Sequence, residues 1–341
     1  MSWDDKPDAD DIRTFLRDLK AEPWLDHRQR HWPDYLFHVT DVTNATSILT
    51  RGELLSREEV GRLGLMASDN AAADIIAATG SAIRDAVRLY FRPRTPTAHN
   101  NEGLRPLHER TRGAHCPIPV MFVLKSHQIL PKVGVRFSDG SLARHGQARI
   151  GDDASFLRSI PFRRVYHDRA FSDGDRDDIV FRRQAEVIVP KRLSLGTLLQ
   201  GVYTRSPAEL ETLAAMLDRS TEGHANVYRA LLHVNGRHAL FFKQWTYLER
   251  VTLVGQDMSL EFNPSSRTPG PFSLSIRVFD AEEDTPLHSI ELDEFRATGT
   301  MAFRLPASTP SGTLRVQIAL DNAIAYDAVK VRGDGMIRPT R

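Results

Sequence analysis

The chain has 341 residues and a formal net charge of +1, and 41% of its residues are hydrophobic. This composition predicts one large or two modest packed domains and excludes disorder over the whole chain. A single cysteine, Cys116, excludes an intrachain disulfide framework and is typical of the reducing cytoplasm. The sequence shows no signal peptide, no membrane-spanning apolar run and no Cys/His zinc pattern. We therefore expect a cytoplasmic protein with no membrane contact and no metal.

Charge is unevenly distributed along the chain. Residues 136–169 contain seven Arg and four Asp, whereas residues 257–296 contain nine acidic residues and three Arg. The first segment could meet phosphate, and the second could not easily do so. Two ordinary solvated surfaces explain the pattern equally well.

The first half of the chain alternates between helical and strand patterns. Residues 8–20 have apolar residues at helical spacing, and YLFHVT from Tyr35 predicts a strand. A helix follows and ends at Gly52. Residues 69–86 predict another helix, VRLYF predicts a strand, and the polar, Pro/Gly-punctuated residues 95–117 predict a long loop.

Further along the chain, the sequence pattern changes near residue 248. VMFVL and AEVIVP predict strands, and residues 207–218 predict an amphipathic helix. After residue 248, short alternating strands separated by turn residues are typical of a β-sandwich. We therefore predict an N-terminal helical extension over 1–29, an α+β domain over 30–246 and an all-β sandwich-like domain over 248–335.

The segment YLFHVTDVTNATSILTRGELLS, residues 35–56, places polar groups around the edge of a predicted strand. His38, Thr40 and Asn44 offer hydrogen bonds before the helix that ends at Gly52. By spacing alone, a strand–helix unit with a satisfied histidine is the better interpretation.

The segment VRLYFRPRTP places Tyr90 and Phe91 before Arg92 and Arg94. Aromatic rings can stack on a planar ligand, and Arg can bind phosphate with two donors. By itself, the pattern favours a core strand followed by solvated arginines.

The segment FRRQAEVIVP places Arg182 and Arg183 shortly before Glu186, which opens an apolar strand. A carboxylate in such a strand is unfavourable unless it is paired or used. An exposed glutamate on an edge strand is an equally good interpretation.

Together these segments resemble the DarT-type ADP-ribosyltransferases, bacterial toxins that attach ADP-ribose to DNA bases. The resemblance runs from about Tyr35 to Pro190, continues more weakly to about residue 246, and includes VRFSDGSLA at 135–143. It implies a transferase core of split mixed β-sheets with helices, NAD+ as co-substrate and Glu186 as the catalytic carboxylate. A fixed carboxylate would stabilise the positive charge that develops on ribose and take a proton from the attacking group.

The resemblance also implies which residues contact the substrates. NAD+ would be bound by His38, Thr40, Asn44, Gly52, Tyr90 or Phe91, and Arg92. Single-stranded DNA or RNA would be the acceptor because unpaired bases need not be extruded from a duplex. We expect it to be contacted by Arg94, Arg105, Arg110, Arg112, Arg182 and Arg183. A toxin or anti-phage effector of this kind implies an antitoxin, often a macrodomain that removes ADP-ribose.

The match has two departures. The family's loop arginine pair is missing before the YF strand, where only Arg62 or Arg84 could replace it. Gly140–Ser141 stands where many members have a histidine. A protein or water acceptor, the latter making an NAD glycohydrolase, remains an alternative. A non-catalytic nucleotide-binding module is another, although Glu186 argues against it.

Overall fold

The computed structural model describes residues 3–65, 85–110, 115–144, 146–220, 225–235 and 239–332. The helices in these ranges are α1 (Ala9–Ala21), α2 (Val42–Arg51), α3 (Arg57–Arg62), α4 (Pro96–Asn101), α5 (Ser126–Ile129), α6 (Ala154–Ser159), α7 (Phe162–Val165), α8 (Asp173–Arg182), α9 (Pro207–Arg219) and α10 (Ala225–Tyr228). Short 3-10 turns cover Trp32–Asp34, Leu107–Glu109, Gly196–Leu198 and Arg229–Leu231.

The strands divide at residue 248 into two groups. The first group is β1 (Tyr35–Asp41), β2 (Glu53–Leu55), β3 (Ala86–Tyr90), β4 (Pro119–Lys125), β5 (Arg136–Ser138), β6 (Ile150–Gly151), β7 (Glu186–Pro190), β8 (Arg192–Ser194), β9 (Leu199–Thr204) and β10 (Leu232–Val234). The second group is β11 (Leu248–Val254), β12 (Asp257–Phe262), β13 (Phe272–Asp280), β14 (Pro286–Phe295), β15 (Thr300–Arg304), β16 (Gly312–Leu320) and β17 (Ala323–Arg332).

An eight-stranded mixed sheet forms the centre of the first region, in the order β10-β9-β4-β1-β3-β7-β5-β6. Its pairs are antiparallel except for β9 and β10, which are parallel. The register of β3 and β7 places Tyr90 opposite Glu186. Two distant segments of sequence thus meet side by side at the middle of the sheet.

Helix α1 is part of this core rather than an extension of it. Its apolar stripe of Ile12, Leu16 and Leu19 is buried in the same cluster as the sheet residues. These apolar residues are buried through contact with the core. The domain boundary predicted at residue 29 stays a prediction.

Helix α2 begins and ends as its sequence predicts. Asp41 caps it by accepting a hydrogen bond from the Thr43 backbone N–H at 3.0 Å. Gly52 ends it with φ of 73°, a left-handed conformation that glycine adopts without strain. These two ends fix the helix beside β1, where its residues face a cavity.

The second region consists of two sheets, β11-β12-β15 and β14-β13-β16-β17. Residues from both sheets, such as Leu260 and Ile276, share one buried apolar cluster. Turn-separated alternating strands bury one face in this way. The predicted fold class, an α+β core followed by an all-β region, is confirmed.

The predicted loop over residues 95–117 is largely a packed connection between the two regions. It contains α4, and residues 101–106 are buried. Leu104 forms an isolated β-bridge with Thr246, and Glu102 accepts hydrogen bonds from the backbone of Phe242 and Lys243. Residues 111–114 and most of the predicted helix over 69–86 lie outside the described residues.

Candidate active site

A cavity of about 260 Å³ opens between β1, β3 and α2. His38 and Thr40 of β1 line it, together with Asn44 and Arg51 of α2 and Arg88 of β3. The residues that line it also include Arg57, which opens α3. Apolar surface interrupted by a few hydrogen-bonding groups is typical of a small-ligand site.

His38 is held in one orientation on the cavity wall. Its Nδ1 lies 3.1 Å from the backbone carbonyl oxygen of Arg88. A carbonyl only accepts, so Nδ1 carries the proton and Nε2 of the neutral ring is an acceptor. Burial lowers the pKa of His38, which keeps the ring neutral near pH 7.

Thr40 and Asn44 form the adjoining part of the wall. The Asn44 side-chain amide donates to Thr40 Oγ1 at 3.3 Å, across one turn of chain from β1 into α2. Together with His38, the structure thus brings three of the predicted NAD+-binding residues to one cavity. Gly52 does not line this cavity; it ends the helix that does.

Glu186 is completely buried at the start of β7. Arg88 binds its carboxylate with two donors: Nε contacts Oε2, and Nη2 lies 2.7 Å from Oε1. The Leu142 backbone N–H also donates to Oε1 at 3.2 Å. Three donors therefore fix the position of this carboxylate.

Arg88 lies between Glu186 and the cavity. It lines the cavity, whereas Glu186 does not, and its side chain is 26% exposed. Burial lowers the pKa of Arg88, but the charge of Glu186 outweighs this and raises that pKa above its ordinary value. The sequence analysis missed this residue; the signal was a charged side chain inside the apolar strand VRLYF.

Of the two predicted aromatic residues, only Tyr90 lies beside Glu186. Burial and the charge of Glu186 both raise the pKa of the Tyr90 hydroxyl. Phe91 is buried on the core side and meets Phe162 edge-to-face at 5.2 Å between ring centroids. The structure places only Tyr90 opposite Glu186, and the contact of Tyr90 or Phe91 with nicotinamide stays a prediction.

The segment FSDG, residues 137–140, helps to hold the backbone of Glu186 in place. Ser138 Oγ accepts a hydrogen bond from the Glu186 backbone N–H at 3.0 Å and donates to the Gly140 carbonyl at 2.7 Å. A Cβ at Gly140 would lie 2.3 Å from ring carbons of Phe181. A histidine has no room at this position as long as Phe181 packs there.

Comparison with known families identifies the family of this chain. The model of the family described as "ssDNA thymidine ADP-ribosyltransferase, DarT" matches residues 37–234, more than half of the chain. The chain belongs to the DarT family. The expected resemblance and the expected enzyme class, an ADP-ribosyltransferase that acts on single-stranded DNA, are confirmed.

Solved DarT structures resemble this DarT chain at low identity. Thermus sp. 2.9 DarT in complex with NAD+ is 17% identical and covers 62% of this chain and 98% of its own, with a TM-score of 0.46. The same DarT in complex with ADP-ribosylated ssDNA is 18% identical, covering 62% and 97%, with a TM-score of 0.48. Thermosipho africanus DarTG in complex with ADP-ribose is 17% identical, covering 64% and 54%, with a TM-score of 0.43. All three scores lie below 0.5, so family membership rests on the family model. No curated protein matches the chain.

Arg92 of this DarT chain is a structural residue. It is 1% exposed, donates to the carbonyl oxygens of Val165 and His167 at 3.1 and 2.6 Å, and pairs with Asp168 at 2.8 Å. Burial lowers its pKa to about 9. These partners enclose the guanidinium, and the contact of Arg92 with NAD+ stays a prediction.

Arg105 and Arg110 also have structural surroundings. Arg105 is buried, stacks 4.0 Å from the Trp245 ring centroid and donates to the His99 carbonyl at 2.7 Å. Arg110 Nε donates to the Arg105 carbonyl at 3.1 Å. The Trp245 stack holds Arg105 inside the protein, and its contact with nucleic acid stays a prediction. Arg112 lies outside the described residues.

The remaining predicted arginines keep partial exposure. Arg94 and Arg182 have side chains that are 22% and 24% exposed, and they pair with Asp168 and Asp139. Arg183 donates to the His167 carbonyl at 2.7 Å. All three lie on segments that flank Tyr90 or Glu186 in sequence.

Of the two candidate replacements for the family's loop arginines, Arg62 does not line the cavity. Arg62 pairs with Glu59 at 2.9 Å on an exposed helix, and Arg84 lies outside the described residues. Within the described ranges, no helix is long and apolar enough to cross a membrane. The same part of the chain has no cluster of three His, Cys, Asp or Glu side chains arranged to hold a metal ion.

Proposed function

We propose that this DarT chain binds NAD+ in the cavity beside His38 and transfers its ADP-ribose to a base of single-stranded DNA, with Glu186 as the catalytic carboxylate. The observation that carries the proposal is the buried Glu186, fixed by Arg88 next to a cavity with hydrogen-bonding walls. A buried carboxylate with a specific partner at a cavity is a strong candidate for catalysis.

The residues of the cavity fit a dinucleotide. His38 Nε2 can accept a hydrogen bond from a ribose hydroxyl, and the Thr40 and Asn44 side chains offer further polar contacts. Arg51 and Arg57 add positive charge to the same wall, which suits the diphosphate. The solved structure of Thermus sp. 2.9 DarT is a complex with NAD+.

The position of Glu186 suits the bond that has to break. Loss of nicotinamide leaves positive charge on the ribose, and a fixed carboxylate stabilises it. The same carboxylate can then accept the proton of the attacking base nitrogen. Tyr90, opposite Glu186 in the sheet, would pack against the nicotinamide ring.

For the acceptor strand, we propose contacts with Arg94, Arg182 and Arg183. Their guanidinium groups are partly exposed or face loop carbonyls close to the segment that carries Glu186. Cationic side chains of this kind bind phosphates, and the binding weakens as salt increases. The acidic C-terminal sheets are expected to make no contact with the strand.

We further propose that the chain acts in the cytoplasm as a toxin or anti-phage effector and is neutralised by an antitoxin. The support is family membership, the lone cysteine and the likeness to a protein named DarTG in complex with ADP-ribose. A macrodomain that removes ADP-ribose is the expected antitoxin. Coexpression with such a hydrolase should restore growth to cells that produce the chain.

The direct test is transfer of label from NAD+ to separate pools of single-stranded DNA, duplex DNA, RNA and protein. We expect label on single-stranded DNA that contains thymidine and much less on matched strands without it. Label on protein alone, or free ADP-ribose alone, would replace the proposal with a protein transferase or an NAD glycohydrolase. Binding of NAD+ without turnover would leave a nucleotide-binding module.

A further inference from the structure

Arg88 links the cavity to Glu186. Arg88 lines the cavity and is 26% exposed, whereas Glu186 is fully buried behind it. The backbone carbonyl of the same residue holds His38 at 3.1 Å. Arg88 therefore contacts both a cavity wall and the carboxylate.

The sheet register explains why Arg88 can hold Glu186 so firmly. Arg88 and Tyr90 lie on one face of β3, and Tyr90 is directly opposite Glu186 on β7. Arg88 thus reaches Glu186 along the diagonal of an antiparallel pair. Its Nε and Nη2 contact both oxygens, a two-point geometry that lysine cannot reproduce.

The electrostatic surroundings of Glu186 depend on this one cation. The groups that face the carboxylate are the Arg88 guanidinium, the Tyr90 hydroxyl and the Leu142 backbone N–H, with the Ser138 hydroxyl at its own backbone N–H. Of these four groups, only Arg88 carries charge near neutral pH. A buried carboxylate without a cation resists ionisation.

We propose that Arg88 is a positioning residue for ADP-ribose transfer: it keeps Glu186 ionised and aims it from the edge of the cavity. The proposal rests on the proposed role of Glu186. Arg88 belongs to β3 and is distinct from Arg62 and Arg84, the candidates for the family's loop arginine pair. In the opposite interpretation, Arg88 only blocks the access of substrate to Glu186. Its removal would then increase the rate of ADP-ribose transfer.

The test compares Arg88→Met, Arg88→Lys and the parent, with Arg277→Met on an exposed position of β13 as a matched control. We expect Arg88→Met to lower kcat by about 100-fold or more, while KM for NAD+ changes only a few-fold. The acidic side of its pH–rate profile should move upward by roughly 1–3 pH units. Arg88→Lys should recover part of kcat, and Arg277→Met should match the parent.

A second measurement uses the protein without NAD+. Arg88→Met should lose more unfolding free energy near neutral pH than under acidic conditions, because protonation relieves an unpaired buried carboxylate. Adding Glu186→Gln to Arg88→Met should remove that pH dependence. If Arg88→Met does not fold, the Arg88→Lys profile decides in its place.

The outcomes separate the two proposals. A parent protein that transfers no label overturns the proposed function. An active parent with an unchanged or faster Arg88→Met variant overturns the role of Arg88 alone. An unshifted pH profile in both Arg88 variants has the same meaning, even if kcat falls.

Discussion

Two buried Arg–Glu pairs in this molecule have similar chemistry and different surroundings. Arg205 and Glu209 are 0% and 1% exposed, and Glu209 binds both the Arg205 guanidinium and its backbone N–H. Arg88 and Glu186 are 26% and 0% exposed, and Arg88 lines a cavity. The first pair is enclosed by groups from other parts of the chain, whereas the second lies beside a cavity.

The difference shows how a structural ion pair can be distinguished from one at a functional site. Around Arg205, the space is filled by Glu102 at 3.7 Å, the Tyr247 ring at 4.5 Å and the Pro117 carbonyl at 2.6 Å. These partners leave Arg205 0% exposed, so a substrate cannot reach it without displacing them. At Arg88, the residue that binds the carboxylate also lines a cavity.

The largest expected effect is a loss of stability on substitution of Arg205, in the enclosed pair. Arg205→Met leaves Glu209 and Glu102 buried without their cation, so we expect a loss of roughly 3–5 kcal/mol of unfolding free energy. Urea unfolding of the variant and the parent measures it. A loss below about 1 kcal/mol would show that this pair contributes little to the stability of the fold.

A smaller effect is expected at the cavity wall. His38→Ala removes one acceptor for the substrate, so KM for NAD+ should rise about tenfold, the equivalent of one hydrogen bond worth roughly 1.4 kcal/mol. Steady-state kinetics with varied NAD+ measures it, with His288→Ala in β14 as the control. An unchanged KM would remove His38 from the NAD+ site.

Lys6 sharpens the comparison as a buried cation bonded only to carbonyls. Its Nζ donates to the Leu130 and Val135 carbonyl oxygens at 2.9 and 2.8 Å, and burial lowers its pKa from 10.5 to about 8. Between these values the unfolded chain binds the proton and the folded chain does not, so stability should rise with pH across this window.

Unfolding of the parent and of Lys6→Met across this range measures the effect of Lys6. The variant should lack the part of the rise that belongs to Lys6. Equal pH dependence in both proteins would mean that this lysine keeps its proton on folding.

The sequence was sufficient for features that depend on local pattern or family resemblance. The strands around His38 and Glu186, the end of α2 at Gly52 and the change to all-β structure at residue 248 all follow from it. It was insufficient where a partner that is distant in sequence determines whether a side chain is buried. Arg92 is buried because Asp168 and two carbonyls lie around it, and Arg105 because Trp245 stacks on it. Neither partner is visible from local spacing.

Arg88 shows the same limit at the site itself. In sequence it is one charged residue in an apolar strand, and only the register of β3 and β7 brings it to Glu186. The sequence offered only Arg62 or Arg84 as replacements for the family's loop arginines. In the fold, the cation beside Glu186 is Arg88, which lies on the neighbouring strand.

The central claim is tested most directly by Glu186→Gln, measured for transfer from labelled NAD+ to thymidine-containing single-stranded DNA. We predict that transfer falls by roughly 100–1000-fold or more, because the neutral amide no longer stabilises positive charge on the ribose. The variant should still unfold cooperatively and bind NAD+. Turnover equal to that of the parent would contradict the account and exclude Glu186 as the catalytic residue.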